Sequence, residues 1–462
     1  MILTDAVVAP AVRVRDLRTF WRRTLAVLVA IPMATLAIEV ALVPLPVRGT
    51  ITEGIAGMAA HPGRAQAALW LAQLFGLTVL PATMAVAWTG RRGAPRLTLA
   101  AGVLLLLAFT AMLPDTDLAE VVAADRGLDP AKVSAIDAAV WAQPVVGINT
   151  LLFLIGQAVG LILLGIALWR ARVVPAWAAI LVAVSGPAHL LAPGGNTGGA
   201  IAWGMTAIGY AAVSVALWRT PDADFDLPPG DAVEPNPDTG PRTAWRTLLA
   251  VAAVPLGFYV AVFRFLLPYN ESDTPRAIFD KLVASPTFVN WSLWVGSIVA
   301  LTGFAGILAV AWLTRRRTPT LTTVAVFLAV PGYIALFAGG AYGEVIPYVT
   351  ATVPGIDRET AFQLGFGMES SAQAGALGWI FVAGHLLGTV LLGIALWRSR
   401  VAPAWLAIGL AVSQPIHLTS VMTGIRWIDL IGWGLTGVGF SWAAWRLLRM
   451  RDAEFDLPPV KG

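Results

Sequence analysis

The chain has no cysteine. That excludes disulfides, thiolate metal sites and cysteine nucleophiles, and it leaves the redox compartment undefined. Charge is also scarce. Asp, Glu, Lys and Arg make up 13% of the 462 residues, about half of the roughly 25% usual in soluble domains. Only three cations are lysine, Lys132, Lys281 and Lys461, an arginine bias expected of a GC-rich bacterial gene. The sequence also lacks a His-Glu-x-x-His pair, a phosphate-binding glycine loop and a Gly-x-Ser-x-Gly elbow. No catalytic residue set and no cofactor are expected from motifs, and any metal is unknown.

Hydrophobic residues, in contrast, make up 57% of the chain, and the mean hydropathy is +0.75. Apolar runs recur, each long enough to cross about 30 Å of hydrocarbon as a helix. The composition is that of an all-α, polytopic membrane protein. Its net charge of +4 and pI near 9.7 do not point to nucleic acid, because the arginines lie in short loops between apolar runs. The expected partners are the lipid bilayer and an unknown small molecule. The run Thr24–Leu45 is too long for a signal-peptide core and reads as a retained first span.

Twelve spans are expected, near 24–45, 66–88, 97–113, 144–169, 177–193 and 197–218, then 247–267, 290–313, 321–338, 376–397, 403–421 and 427–447. The two sets are related. GQAVGLILLGIALWRARVVPAWAAILVAVSGPAHLL, from Gly156, matches GHLLGTVLLGIALWRSRVAPAWLAIGLAVSQPIHLT, from Gly384, without a gap and 228 residues later. Six spans per copy keep the orientation of the copies equal. The expected plan is therefore two parallel six-helix repeats, residues 13–227 and 242–459, joined by a linker at 228–241. Arginines at Arg91, Arg92, Arg96, Arg170, Arg172, Arg315, Arg316, Arg317, Arg398 and Arg400 place these loops, and both termini, on the cytoplasmic side of a bacterial plasma membrane. Each copy ends in a similar tail, Asp222–Gly230 and Asp452–Val460. The tails are read as pins against the cytoplasmic face or as a partner-docking motif. Asp129 and Asp357 read as N-caps of short helices over the outer face.

The Leu-Trp-Arg-x-Arg-x-x-Pro-x-Trp hairpin at Leu168–Trp177, with the Ala-x-Pro outer loop at Ala60–Pro62, resembles six-helix bacterial membrane proteins that have not been characterised. The resemblance covers nearly the whole chain if that unit is present twice, and it implies no activity. The 6+6 plan is also similar to that of the major facilitator transporters. Their signature loop after span two would be Trp88–Leu97 and Trp312–Leu321, but the loop aspartate and glycine spacing are missing.

The sharpest local signal is a polar layer. His189 and His417 correspond, each two residues after a proline, while His385 corresponds to Gln157 in the preceding span. Each of the four is 16 residues from the centre of its hairpin, near 173 or 401. Antiparallel helices leaving one turn carry equidistant residues to equal height, here ~18 Å above the cytoplasmic ends of the helices. Ser185-Gly186-Pro187 and Ser413-Gln414-Pro415 are expected to interrupt the fifth spans and expose backbone carbonyls. These residues form a substrate or proton site, or else hydrogen bonds between packed helices. Glu39 and Arg264, near the outer ends of spans one and seven, are charges that need water or a partner, and they are expected to bridge the two copies. Arg426 and Asp429, spaced i,i+3, are expected to form an ion pair. Three functions fit this inventory: a proton-coupled permease with its site between the halves, an accessory or scaffold protein, and a haem- or quinone-binding protein.

Overall fold

The computed structural model describes residues 14–44, 49–112, 117–191, 195–230, 240–338 and 341–460. Most of the expected linker, 231–239, lies outside them. No strand occurs among the described residues. The first half contains α1 (Arg18–Leu42), α2 (Ile51–Ala60), α3 (Pro62–Gly90), α4 (Pro95–Met112), α5 (Asp117–Arg126), α6 (Pro130–Trp141), α7 (Pro144–Arg170), α8 (Ala176–Leu191), α9 (Gly195–Arg219) and the single turn α10 (Asp222–Phe225). The second contains α11 (Gly240–Ala253), α12 (Pro255–Leu266), α13 (Pro275–Val283), α14 (Pro286–Ala300), α15 (Ala305–Thr314), α16 (Pro319–Ala338), α17 (Ala341–Thr352), α18 (Arg358–Glu369), α19 (Ala372–Ser399), α20 (Ala404–Thr423), α21 (Arg426–Arg449) and the turn α22 (Asp452–Phe455).

Ten helices, with α11–α12 and α14–α15 each taken as one, are long and apolar enough to cross a membrane among the described residues. The chain is an integral membrane protein of many spans. α8 is apolar but shorter, and α21 carries four charges in its end turns.

Local chemistry sets the ends. Asp129 caps α6 and Asp357 caps α18, each accepting a backbone N–H at 2.9 Å. Thr50 and Glu53 form a capping box on α2. In both Ala-x-Pro elements the middle residue breaks the helix with nearly the same torsions, φ −134° and ψ 55° at His61, φ −123° and ψ 52° at Ser285. The two hairpin turns also match, with Arg172 at φ 54° and Arg400 at φ 55°.

One expectation fails. α8 and α20 run through Pro187 and Pro415 without interruption. An interior proline removes one intrahelical bond, and close packing on the neighbouring helix supports the helix through it. A Cβ on Gly393 of α19, for example, would lie 2.5 Å from the Ala411 nitrogen of α20. The breaks fall elsewhere, at Val254 before Pro255 and between Ala300 and Ala305, so that the spans formed by α11–α12 and α14–α15 are discontinuous. Their counterparts α1 and α3 are continuous.

Two hydrophobic cores lie one above the other. The larger runs through the long helices of both halves. The second joins α2, α5, α6, α13, α17 and α18 into a cap with its own buried apolar cluster, contributed by both halves. The face bearing α10 and α22 is opposite, and we refer to it as the tail face.

On the tail face the halves hold each other's ends. Trp88 Nε1 donates to the Phe225 carbonyl at 3.2 Å, and Trp312 Nε1 to the Phe455 carbonyl at 3.0 Å. Arg91 donates to that same Phe225 carbonyl and reaches across to Asp456 at 2.7 Å. Arg315 likewise donates to the Phe455 carbonyl and reaches Asp226 at 3.1 Å. Each tail then continues along the opposite loop, Gly230 N–H to the Arg316 carbonyl and Val460 N–H to the Arg92 carbonyl. Trp88 and Trp312 meet edge to face, 5.0 Å between centroids.

The Arg91 and Asp456 side chains are 6% and 5% exposed, against 16% and 18% for Arg315 and Asp226. Removing one member of a buried pair strands the other charge, at about 3–5 kcal/mol. Arg91→Ala should therefore lower the thermal midpoint of the purified protein more than Arg315→Ala. Arg91→Ala with Asp456→Asn should recover part of the loss. Additive losses in the double variant would show that the two side chains do not act as a pair.

Candidate functional site

The polar residues converge in the second half. On α21, Asp429, Trp433 and Thr436 follow i,i+4,i+7 spacing and share one face. His417 of α20 donates through Nδ1 to Asp429 Oδ1 at 2.6 Å. Asp429 Oδ2 accepts from Arg264 Nε of α12 at 2.7 Å, and Arg264 also pairs with Glu271 in the loop beyond α12. The Asp429 side chain is 2% exposed and that of Glu271 46%. The chain of charges thus runs from the cap-side surface into the bundle.

His385 of α19 lies beside it, its ring centroid 5.5 Å from that of His417. Its Nδ1 sits 2.6 Å from the Phe381 carbonyl. A carbonyl only accepts, so this nitrogen carries the proton and the buried Nε2 is a bare acceptor, with no partner among the described residues. The Trp433 indole stacks on His385 at 5.8 Å and meets His417 edge-on at 5.4 Å. One layer toward the tail face, Gln414 donates to Thr436 at 3.0 Å, and Thr436 donates to Ser413 at 2.9 Å.

The corresponding residues of the first half have different surroundings. Gln157 is fully buried and neither end of its amide has a partner among the described residues. His189 packs on Trp203 at 4.6 Å, and its Nδ1 is likewise unpartnered. Ser185 bonds back to the Val182 carbonyl. Aligning the tryptophans and the tails of the two halves, Trp203 with Trp433 and Asp222 with Asp452, puts Gly199 opposite Asp429. Aligning Trp21-Arg22 with Trp245-Arg246 puts Val40 opposite Arg264. The structure brings those counterparts together as well: a Cβ on Gly199 would lie 3.1 Å from Val40. One contact point is apolar in the first half and an ion pair in the second.

Two expected pairings are replaced. Arg264 is paired with Asp429 and Glu271, while Glu39, buried at the cap end of α1, hydrogen-bonds with Asp117 of α5. Glu39 and Arg264 sit on helices whose strongest contacts stay within their own half, α1 with α9 and α12 with α21. Arg426 donates instead to the Tyr269 carbonyl and Asn270 at 2.9 and 3.0 Å, since both oxygens of Asp429 are already engaged. Trp203 and Trp433, each 1% exposed, escaped the sequence reading because tryptophan at the span ends reads as an interfacial anchor. The repeated Trp-Gly-x-Thr, Trp203–Thr206 and Trp433–Thr436, was the available signal.

Glu344 of α17 was also missed, although Glu-Val-[Val/Ile] recurs at Glu120 and Glu344. Ser292 donates to its Oε2 at 2.6 Å, with the Tyr259 hydroxyl 3.5 Å beyond. Burial under the cap pushes the Glu344 carboxyl up to about 7, only partly offset by the serine hydrogen bond. A carboxyl that ionises late in the folded state opposes folding once the unfolded chain has lost its proton. Cap stability should therefore fall as pH rises from about 4.5 to about 7 and then level off. Hydrogen exchange of α17, corrected for intrinsic rates, should be slower at pH 5 than at pH 8. Glu344→Gln should remove the difference, and a Gln variant with the same pH response would contradict the assignment.

No protein family, curated protein or solved structure matches this chain, so the chemistry of the site is read from its own residues.

Proposed function

We propose that the chain is a proton-coupled small-molecule permease of the bacterial plasma membrane. In this reading it has twelve spans, with α8 and α21 crossing beside the ten long apolar helices. It is built as two parallel six-span repeats, 13–227 and 242–459, with both termini cytoplasmic. The matching torsions at His61 and Ser285 and at Arg172 and Arg400, together with the reciprocal tails, support the repeat. The arginine-rich loops on the tail face support the orientation.

The observation that carries the function is the buried His417–Asp429–Arg264 chain beside two discontinuous spans. Asp429 fixes His417 as the Nδ1–H tautomer and leaves Nε2 to take a proton. His417 and Arg264 hold the two oxygens of that one carboxylate, Oδ1 and Oδ2, from α20 and α12. Arg264 lies on α12, which the break at Val254 separates from α11. A change at His417 would thus pass through Asp429 to the hold of α21 on α12. Broken spans beside polar groups mark substrate sites in membrane transporters, and His385 Nε2 offers the substrate a hydrogen-bond acceptor. The site lies within the second half. Glu39, Gln157, Ser185 and His189 belong to a quieter counterpart.

The haem reading has less support. Axial ligation by two imidazoles needs the rings on opposite faces of a flat macrocycle, whereas Trp433 already packs against both. The scaffold reading is favoured by one observation: the crossed Arg–Asp pairs tie the halves on the tail face and resist rocking. Proteoliposomes on a solid-supported membrane, challenged with amino acids, sugars, organic acids and cations under a pH gradient, decide between these readings. The permease should give a proton-linked current for at least one class, reduced tenfold or more in His417→Ala and Asp429→Asn with folded protein retained. Absence of any current from the wild type across the panel would leave the scaffold reading in its place.

A further inference from the structure

Where the halves meet near the tail face, α4 and α11 enclose a groove of ≈ 480 Å³. Its wall is apolar, formed by Leu99, Val103 and Leu104 of α4 and by Ala244 of α11. At its tail-face end stand Arg96, the second residue of α4, and Gly240 and Pro241, the first two of α11. Arg96 is exposed and makes no hydrogen bond or ion pair among the described residues. The neighbouring arginines do: Arg91 and Arg92 are paired with Asp456 and Asp224, and Arg246 with Asp452. One guanidinium without a partner among the described residues and two helix N-termini therefore converge at one end of an apolar slot.

The corresponding place in the other half is filled. Pro95 aligns with Pro319 and Trp21-Arg22 with Trp245-Arg246. Val103 thus corresponds to Phe327, Ala244 to Phe20, and Arg96 to Thr320. There Phe20 and Trp21 pack on Phe327, at 5.9 and 5.3 Å between centroids, and Trp21 Nε1 donates to Thr323 at 2.9 Å. The copy of that tryptophan, Trp245, instead presses its ring edge on Gly102, where a Cβ would stand 2.8 Å away. Two small residues and one arginine thus turn a plugged seam into an open one with a cationic rim.

We propose that this groove binds one anionic phospholipid. Its phosphate would lie on Arg96 and the N-termini of α4 and α11, where helix dipoles favour negative charge, and an acyl chain would lie along Leu99, Val103 and Leu104. Basic pockets between membrane helices at the headgroup level are suited to this chemistry. A free anion would not use the apolar wall, and a neutral lipid would leave Arg96 without a counter-charge. The proposal requires only that the tail face lie at a membrane interface, not that the protein transports anything.

The test is native mass spectrometry of the full-length protein in mild detergent, offered phosphatidylglycerol and phosphatidylethanolamine with matched chains at equal concentration. One phosphatidylglycerol should be retained at least fivefold over phosphatidylethanolamine. Arg96→Gln should bring the ratio close to one. Val103→Phe with Ala244→Phe, copying the plugged seam, should abolish specific retention of either lipid while the thermal midpoint confirms a folded chain. Equal retention of the two lipids by the wild type, or an unchanged preference in Arg96→Gln, would overturn the proposal.

Discussion

The crossed grip of Arg91 on Asp456 and of Arg315 on Asp226 is the constraint around which the molecule is organised. A guanidinium or carboxylate buried in protein is costly without its partner, so each half supplies the counter-charge that the other needs. The same two arginines also hold the carbonyls of Phe225 and Phe455, which stops each tail at the end of its own half before it crosses. The strongest helix contacts, such as α16 with α19 and α1 with α9, stay within a half. The tails on one face, the shared cap core on the other and the core between the long helices together join the halves.

The two halves differ most at the polar residues. Val40 and Gly199 meet in the first half where Arg264 and Asp429 meet in the second. Glu271, half-exposed in the loop beyond α12, gives Arg264 a second carboxylate partner. Both discontinuous spans lie in the same half as the ion pair. This ion pair, the broken spans and the two close imidazoles thus coincide in the second half, while Gln157 and His189 of the first half have no ionic partner among the described residues.

Much of this was legible beforehand. Hydropathy placed the long helices because burying backbone in hydrocarbon requires unbroken apolar runs. Equal arc length from the hairpin put His385 and His417 at one height, and their rings lie 5.5 Å apart. Rotation about a helix axis was not legible. Whether Arg264 faces Glu39 or Asp429 depends on how α12 turns after its break at Val254, and a hydropathy profile is blind to that. Proline misled in both directions: α20 continues through Pro415, while the break between Ala300 and Ala305 has no proline in it. Packing density around the helix decides such cases, and it is a property of the assembled bundle.

The reciprocal crossing of the tails can be tested by cross-linking, helped by the absence of native cysteine. Pro228→Cys with Arg316→Cys, and separately Pro458→Cys with Arg92→Cys, would be treated with a short bis-maleimide. The chain would then be cut at a protease site inserted between residues 230 and 240. Because Arg316 donates to the Pro228 carbonyl at 2.8 Å and Arg92 to the Pro458 carbonyl at 2.9 Å, both pairs should keep the two fragments covalently joined in denaturing gels. If the fragments separate in both cases, each tail stays with its own half and the account of how the halves are held together is wrong.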